Sequence, residues 1–326
     1  MILAGDVGGT KTALAVFAGG DRLDAPVAEA RFVSHEHPGL IPLVQQFLAI
    51  HRLRVEHACV GVAGPVRDGR CTTTNLPWVV DADELARALG ISQAWVINDL
   101  EATAYGLAAL GPEDVVTLAR GDGTARGNAC LIAAGTGLGE AGLYWDGQDH
   151  RPFACEGGHA SFAPTSDLEI ELLQALRRRW EHVSWERVCS GPGLVAVYAF
   201  LRDSGHGVEE PWVAEALRTG DPAAAIAEAA QGDRSPLCAR ALDLFVGLYG
   251  AEAGNLALKT MATGGVYVGG GIAPRIVERL RAGGFMRAFL AKGRMRPLLE
   301  AMPVRVILND RAALLGAARC AALRAR

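Results

Sequence analysis

Apolar positions in this chain come in short runs broken by glycine and by abrupt polar steps. Residues 2–17 hold two strand-like runs around a tight polar turn, with Gly5, Gly8 and Gly9 at and beside it. A strand follows over 27–33, then a helix over 39–52 whose Leu40, Leu43, Val44, Phe47 and Leu48 share one stripe. Residues 58–66 read as a buried strand ending in a Gly64-Pro65 turn, 71–74 as a strand, and 75–78 as a loop. A short helix starts at 81 or 83 and stops at Gly90. The apolar strand 94–97 breaks off at Asn98-Asp99, where another helix begins. Residues 128–147 then echo the opening: strand, Gly135-Thr136-Gly137 turn, strand, Asp146-Gly147 turn. Ser166-Asp167-Leu168-Glu169 is a capping box that opens a helix to about residue 181. Helices are predicted over 194–202, 211–218, 222–231 and 235–258. Gly264-Gly265 ends that region; 266–268 is a buried strand, Gly269-Gly270-Gly271 a turn, and 274–281 a helix. A strand over 303–308 and an amphipathic helix over 311–323 complete the pattern.

Strands alternating with helices make this an α/β chain, and the repeated strand–glycine turn–strand points to two related domains facing one cleft. The length of 326 residues agrees with two domains, and half the residues are hydrophobic, enough for large cores. No apolar stretch reaches the length that spans a bilayer. The opening run is interrupted by Asp6 and follows no basic residue, so it does not read as a secretion signal. A net charge of −4 gives nucleic acid no electrostatic reason to bind. The seven cysteines are scattered singly, mostly in apolar runs, which suits buried reduced thiols in a cytoplasmic protein. His35-Glu36-His37 could hold a metal but reads rather as a solvated turn.

The first turn carries the chemistry. Glycines let backbone N–H groups converge on one small space, which makes an anion cradle. Asp6 at its mouth calls for a cation, typically Mg²⁺, between carboxylate and phosphate. The turn is not a P-loop, because Lys11 follows Thr10 directly and the next residues read as a strand. A plain hairpin without ligand is the alternative. Two such turns, at 5–10 and 135–139, could hold one nucleotide's phosphates from opposite sides. Asp99 stands at the carboxyl end of a strand, where α/β sheets bind ligands; it either caps the helix or leaves that to Asn98. Glu156-Gly157-Gly158-His159 is a glycine-rich loop with a carboxylate and an imidazole three positions apart. Glu186 precedes the Ser190-Gly191-Pro192-Gly193 turn, and Gly269-Gly270-Gly271 lets a flat ring or phosphate approach the backbone. Gly137-Leu138-Gly139-Glu140-Ala141-Gly142 formally matches a dinucleotide fingerprint, but that motif needs a helix where a strand is expected here.

Taken together, Gly5-Asp6-Val7-Gly8-Gly9-Thr10, Ile97-Asn98-Asp99, Gly135-Thr136-Gly137-Leu138-Gly139, Glu156-Gly157-Gly158-His159, Glu186-Arg187-Val188-Cys189-Ser190-Gly191-Pro192-Gly193 and Gly269-Gly270-Gly271-Ile272 resemble the bacterial glucokinase family. That family has the two-domain actin-like ATPase (ribonuclease H-like) fold with a cleft between the domains. The glycine turns point only to the superfamily; the two glutamate-led motifs are far more specific. The resemblance implies ATP-dependent phosphorylation of glucose at its 6-hydroxyl, with Asp99 as general base. It implies that Asn98, Asp99, Glu156, His159 and Glu186 bind the sugar. It places ATP against Gly5, Asp6, Val7, Gly8, Gly9, Thr10, Gly135, Thr136, Gly137, Gly270 and Gly271, with Mg²⁺ at Asp6. It implies a homodimer, a small domain of 1–110 completed by 303–326, and a large one of 111–302. Lys11-Thr12 departs from the Asn-Ala of several members, and Lys11 could assist the phosphates. Rival readings are a kinase for another hexose or amino sugar, a chaperone-type ATPase of the same fold, an NAD-dependent dehydrogenase, and a DNA-binding sugar-responsive regulator. The last expects a helix-turn-helix before the first strand, and its zinc-loop relatives a cysteine cluster after His159; neither is in the sequence.

Overall fold

A computed structural model describes residues 1–19, 25–73, 76–123 and 126–325. Thr74 and Asn75, expected at a strand end and in a loop, lie outside the described residues. In chain order the strands are β1 (Ile2–Val7), β2 (Lys11–Phe17), β3 (Ala28–Val33), β4 (His57–Val62), β5 (Arg70–Thr72), β6 (Val79–Asp81), β7 (Ala94–Asn98), β8 (Val115–Ala119), β9 (Ala129–Ala134), β10 (Leu138–Trp145), β11 (His150–Cys155), β12 (Gly265–Gly269) and β13 (Val304–Ile307). The helices are α1 (Leu40–His51), α2 (Ala82–Leu89), α3 (Asp99–Gly106), α4 (Asp167–Leu176), α5 (Gly191–Asp203), α6 (Pro211–Thr219), α7 (Pro222–Ala229), α8 (Pro236–Thr260), α9 (Val277–Arg281), α10 (Gly284–Leu290), α11 (Arg296–Glu300) and α12 (Ala312–Arg324). They form two compact units: Met1–Asp114 with His150–Ala154 and Asn309–Arg326, and Val115–Asp149 with Cys155–Leu308.

In the first unit the sheet order is β3-β2-β1-β4-β7, with β1, β4 and β7 parallel and β1-β2-β3 an antiparallel meander. The inner strands β1 and β4 are largely apolar because both faces are covered. Leu3, Val7, Leu14, Val16, Val60 and Val62 join α1 and α2 residues such as Leu43, Phe47 and Leu85 in one core. The alternate residues Ile2, Ala4, Ala15, Phe17 and Cys59 join α3 and α12 through Ala102, Leu314, Ala317 and Ala321 in the other. The expected stripe on α1 is the buried one, and Asp81 and Gly90 end α2 as the sequence suggests: Asp81 accepts from the Asp83 and Glu84 amides, and Gly90 turns left-handed.

In the second unit the sheet runs β10-β9-β12-β13-β8. β10-β9-β12-β13 repeats the antiparallel-then-parallel order of β2-β1-β4-β7, which is the duplication read from the two glycine turns. The long helix α8 is buried on most of its circumference, with Phe245, Tyr249 and Leu256 inside. Residues 303–308, expected to accompany the C-terminal helix into the small domain, instead give β13, paired with β12 and β8 in this second sheet. Three helices differ in extent. The one expected to reach about 181 ends at Leu176; α5 starts earlier, at Gly191, because Ser190 caps it and Pro192 suits its first turn; and 274–281 divides into a 3-10 turn, Ala273–Ile276, and α9.

Candidate active site

The first glycine turn joins β1 to β2, with Val7 opposite Thr12 in the antiparallel register. The Gly8 N–H donates to the Lys11 carbonyl at 3.0 Å. Beneath it, the Ser34 hydroxyl donates to the Gly8 carbonyl at 2.8 Å and accepts from the buried Thr12 hydroxyl at 3.0 Å. Sequence reading missed this brace; two hydroxyls flanking apolar strands were its only signal. Asp6 stands in one row across the sheet with Ala13 and Arg31 on one side and Gly61 on the other. Burial pushes its carboxyl up to about 6; the nearby Asp99 charge adds to this, and Arg31, held by Asp310 at 2.9 Å, opposes it. A buried carboxylate that feels a second one nearby fits a divalent cation, for which a nucleotide's phosphates would complete the oxygen ligands. Among the described residues no group of three or more His, Cys, Asp or Glu is arranged to hold a metal alone, and His35 and His37 belong to no such cluster.

Asn98 caps α3. Its Oδ1 accepts the Leu100 amide at 2.9 Å and the Glu101 amide at 3.4 Å, while its Nδ2 donates to the Gly64 carbonyl at 3.1 Å. Asp99 is therefore not needed as the cap, although its Oδ1 also accepts the Leu100 amide at 2.9 Å. Gly61 sets where this helix starts: a Cβ there would lie 2.8 Å from Ala102 Cβ and 3.6 Å from Asp99 Cα. The absence of a side chain lets the first turn of α3 rest on β4, beside the row that holds Asp6.

In the second unit, Gly135-Thr136-Gly137 joins β9 to β10, and the Gly135 N–H donates to the Gly137 carbonyl at 2.9 Å. Leu143 to Trp145 continue β10 as a strand, so the helix that the dinucleotide fingerprint requires is absent. Glu186 reaches this turn: its Oε2 accepts the Leu138 N–H at 3.1 Å, and a Cβ on residue 137 would lie 2.5 Å from the same oxygen. The segment after His159 pairs with the one before Glu186. Phe162 N–H donates to the Val183 carbonyl at 2.9 Å and Trp185 N–H to the Ala160 carbonyl at 3.0 Å. That pairing holds the Glu156–His159 loop beside Glu186. Glu156 and His159 are exposed, with His159 Nε2 3.9 Å from Glu156 Oε2. Gly270, left-handed at φ 82°, sits against the Ala134 carbonyl, and the Ile272 N–H donates to that carbonyl at 3.2 Å. The Gly135–Gly137 and Gly270–Gly271 turns are thus neighbours at the ends of β9 and β12.

Three further residues support this region and were not singled out from sequence. Tyr249, fully buried on α8, accepts the Ala134 N–H at 3.1 Å; its one proton serves the carbonyl of Gly269, at 3.0 Å, or of Ile132, at 3.2 Å. Glu140 and Glu252 are buried carboxyls behind the Glu156–His159 loop. A lone acid inside an apolar strand or helix was the available signal for both.

The structure brings Asp6, Asn98 and Asp99 together in the first unit, and Gly135, Thr136, Gly137, Glu156, His159, Glu186, Gly270 and Gly271 in the second. The glucokinase family profile matches residues 3–324. The glucokinase of Trichormus variabilis is 42% identical over 338 aligned positions, covering 99% of each chain. That of Psychromonas ingrahamii is 38% identical, covering 97% of this chain and 95% of its own. Among solved structures, a glucokinase from an Antarctic psychrotroph has a TM-score of 0.86 at 31% identity, with 98% of each chain covered. A ROK family glucokinase from Streptomyces griseus, in complex with glucose and AMPPNP, has a TM-score of 0.66 at 25% identity, again over 98% of each chain. The fold is that of the actin-like ATPases and sugar kinases. From motifs, strand order and similarity over nearly its whole length, the chain belongs to the glucokinase family.

Proposed function

We infer that this chain transfers the γ-phosphoryl group of ATP to the 6-hydroxyl of glucose, with Asp99 as general base. The observation that carries the reading is Glu186, whose carboxylate touches the Gly137-Leu138 turn while its loop is paired to the Glu156–His159 loop. One patch of the second unit therefore combines hydroxyl-binding groups with a backbone anion cradle.

Phosphoryl transfer asks for alignment and charge stabilisation more than for covalent help. Glu156 and Glu186 offer acceptors to sugar hydroxyls and His159 a donor or acceptor. A sugar with a hydroxyl inverted leaves one of these unpaired, which penalises it. Asp99 takes the proton of the 6-hydroxyl as that oxygen bonds to the γ-phosphorus and the bond to the β-phosphate oxygen breaks, releasing ADP. The amides around Gly8–Thr10 and Gly135–Gly137 receive phosphate oxygens, and Gly270-Gly271 leaves room for the adenosine. Asp6 would hold Mg²⁺, which when bound offsets the phosphate charge. Lys11, the residue after the turn, would assist with its charge.

A homodimer and a cytoplasmic location complete the proposal. Family resemblance supports the first; reduced, mostly buried thiols support the second. No helix among the described residues is long and apolar enough to cross a membrane. The test is coupled ATP consumption over a panel of hexoses and amino sugars. Glucose-dependent turnover that Asp99→Asn abolishes is expected; turnover without hexose, or preference for another sugar, would replace this reading.

A further inference from the structure

Behind the Glu156–His159 loop lies a buried acidic pair that phosphoryl transfer does not use. Glu140 on β10 is 2% exposed and Glu252 on α8 is 0% exposed. Glu252 is well supported: Lys259 Nζ lies 3.5 Å from Oε1, and Asn255 Nδ2 donates to Oε2 at 2.7 Å. Asn255 in turn accepts from Lys292 Nζ at 2.6 Å. Glu140 has no such support. Its Oε1 is buried without a hydrogen-bond partner, and its Oε2 fills the space that a Cβ on Gly157 would take. An ionised carboxylate is costly in such a place. A neutral carboxyl facing Glu252 is not, because one proton then serves both groups.

We propose that Glu140 is a positioning residue for the sugar site: a proton shared between Glu140 and Glu252 supports the Glu156–His159 loop from below, and its loss weakens sugar binding while sparing nucleotide binding. This rests on the sugar-binding reading of Glu156 and His159. Burial, then the Glu252 charge, pushes Glu140 up to about 8, with Lys259 opposing. Above that, two anions face each other with Lys259 as the nearest cation, and the backbone covering Glu140 is Gly157 itself. Other groups face the pair. The Cys155 thiol donates to the Glu140 carbonyl at 3.3 Å. Burial raises the Cys130 and Cys189 thiols and the Tyr249 phenol, which stay neutral over the same range. Lys292 on the far side of Asn255 is lowered by burial, and Glu156 lies on the loop. The Glu140→Gln variant separates their contributions, since only the shared proton is removed by it.

The experiment measures KM for glucose and for ATP from about pH 6 to about pH 9 in wild type and Glu140→Gln. With a group titrating near 8, the wild-type glucose KM rises by about tenfold between pH 7 and pH 9. In Glu140→Gln that rise disappears, and the ATP KM keeps the same profile in both proteins. A glucose KM that rises equally in the variant, or an ATP KM that rises with it, overturns the proposal. Infrared spectroscopy of the proteins without substrate provides a second readout. A protonated carboxyl band near pH 7, lost in Glu140→Gln and lost in wild type by pH 9, is expected; its absence from wild type also overturns the proposal. Because that band needs no sugar, a wild type that fails to turn over glucose sinks the activity reading and leaves the pair testable.

Discussion

The proposed reaction assigns the base to Asp99, and the neighbours of that residue make the test clean. Asn98 already caps α3, so Asp99→Asn removes a base without removing the helix start. We expect kcat to fall by about 10²- to 10⁴-fold with little change in glucose affinity, read by the coupled assay and by calorimetric titration of the sugar. Gly157 is a second residue whose identity has a steric cause. The Gly157→Ala methyl would meet the Glu140 carboxyl, and glucose KM should rise. An unchanged glucose KM in Gly157→Ala would show that the loop absorbs the methyl without help from the space below it. The sequence marks Gly157 as part of a motif but not what lies beneath it. Glu140 sits in a stretch that formally matches a nucleotide fingerprint, which draws attention to its glycines and away from its one acid.

At the level of elements, the β7–α3 junction joins a strand end, a cap and a loop clamp in one side chain. Asn98→Ala should cost about 1 kcal/mol of stability for the cap alone, more if the Gly64 contact is also lost, as measured by urea denaturation. Strand runs, glycine turns, the Asp81 and Ser166 caps and the repeated hairpin were legible because each is a local rule acting on adjacent residues. What was not legible is long-range: Ser34 bracing the Gly8 turn, Tyr249 tying β9 to β12, and Glu252 meeting Glu140 from a helix far along the chain. The short edge strand β8 was also missed, since five half-buried residues show too little alternation to stand out.

For the whole molecule, the buried acids set a stability profile against pH. Glu140 has an ordinary value of 4.5 when unfolded and about 8 when folded, so the folded protein holds an extra proton between these limits. Its contribution is complete below pH 4.5, shrinks as pH rises, and is gone above about 8. Urea midpoints for wild type should drop across that window relative to Glu140→Gln; parallel profiles would contradict the assignment. The two-unit division and the repeated strand order agree with the duplication read from sequence. The second-sheet place of β13 did not, because a lone strand carries no mark of which sheet it will join.

The C-terminal helix α12 packs against α3 and on the face of β1. During synthesis, β1 with Asp6 and α3 with Asp99 leave the ribosome long before α12, so that layer stays uncovered until α12 has emerged. A nascent chain therefore carries Asp6 and Asp99 long before α12 can hold their layer in place, and a stop codon within α12 should yield an inactive protein.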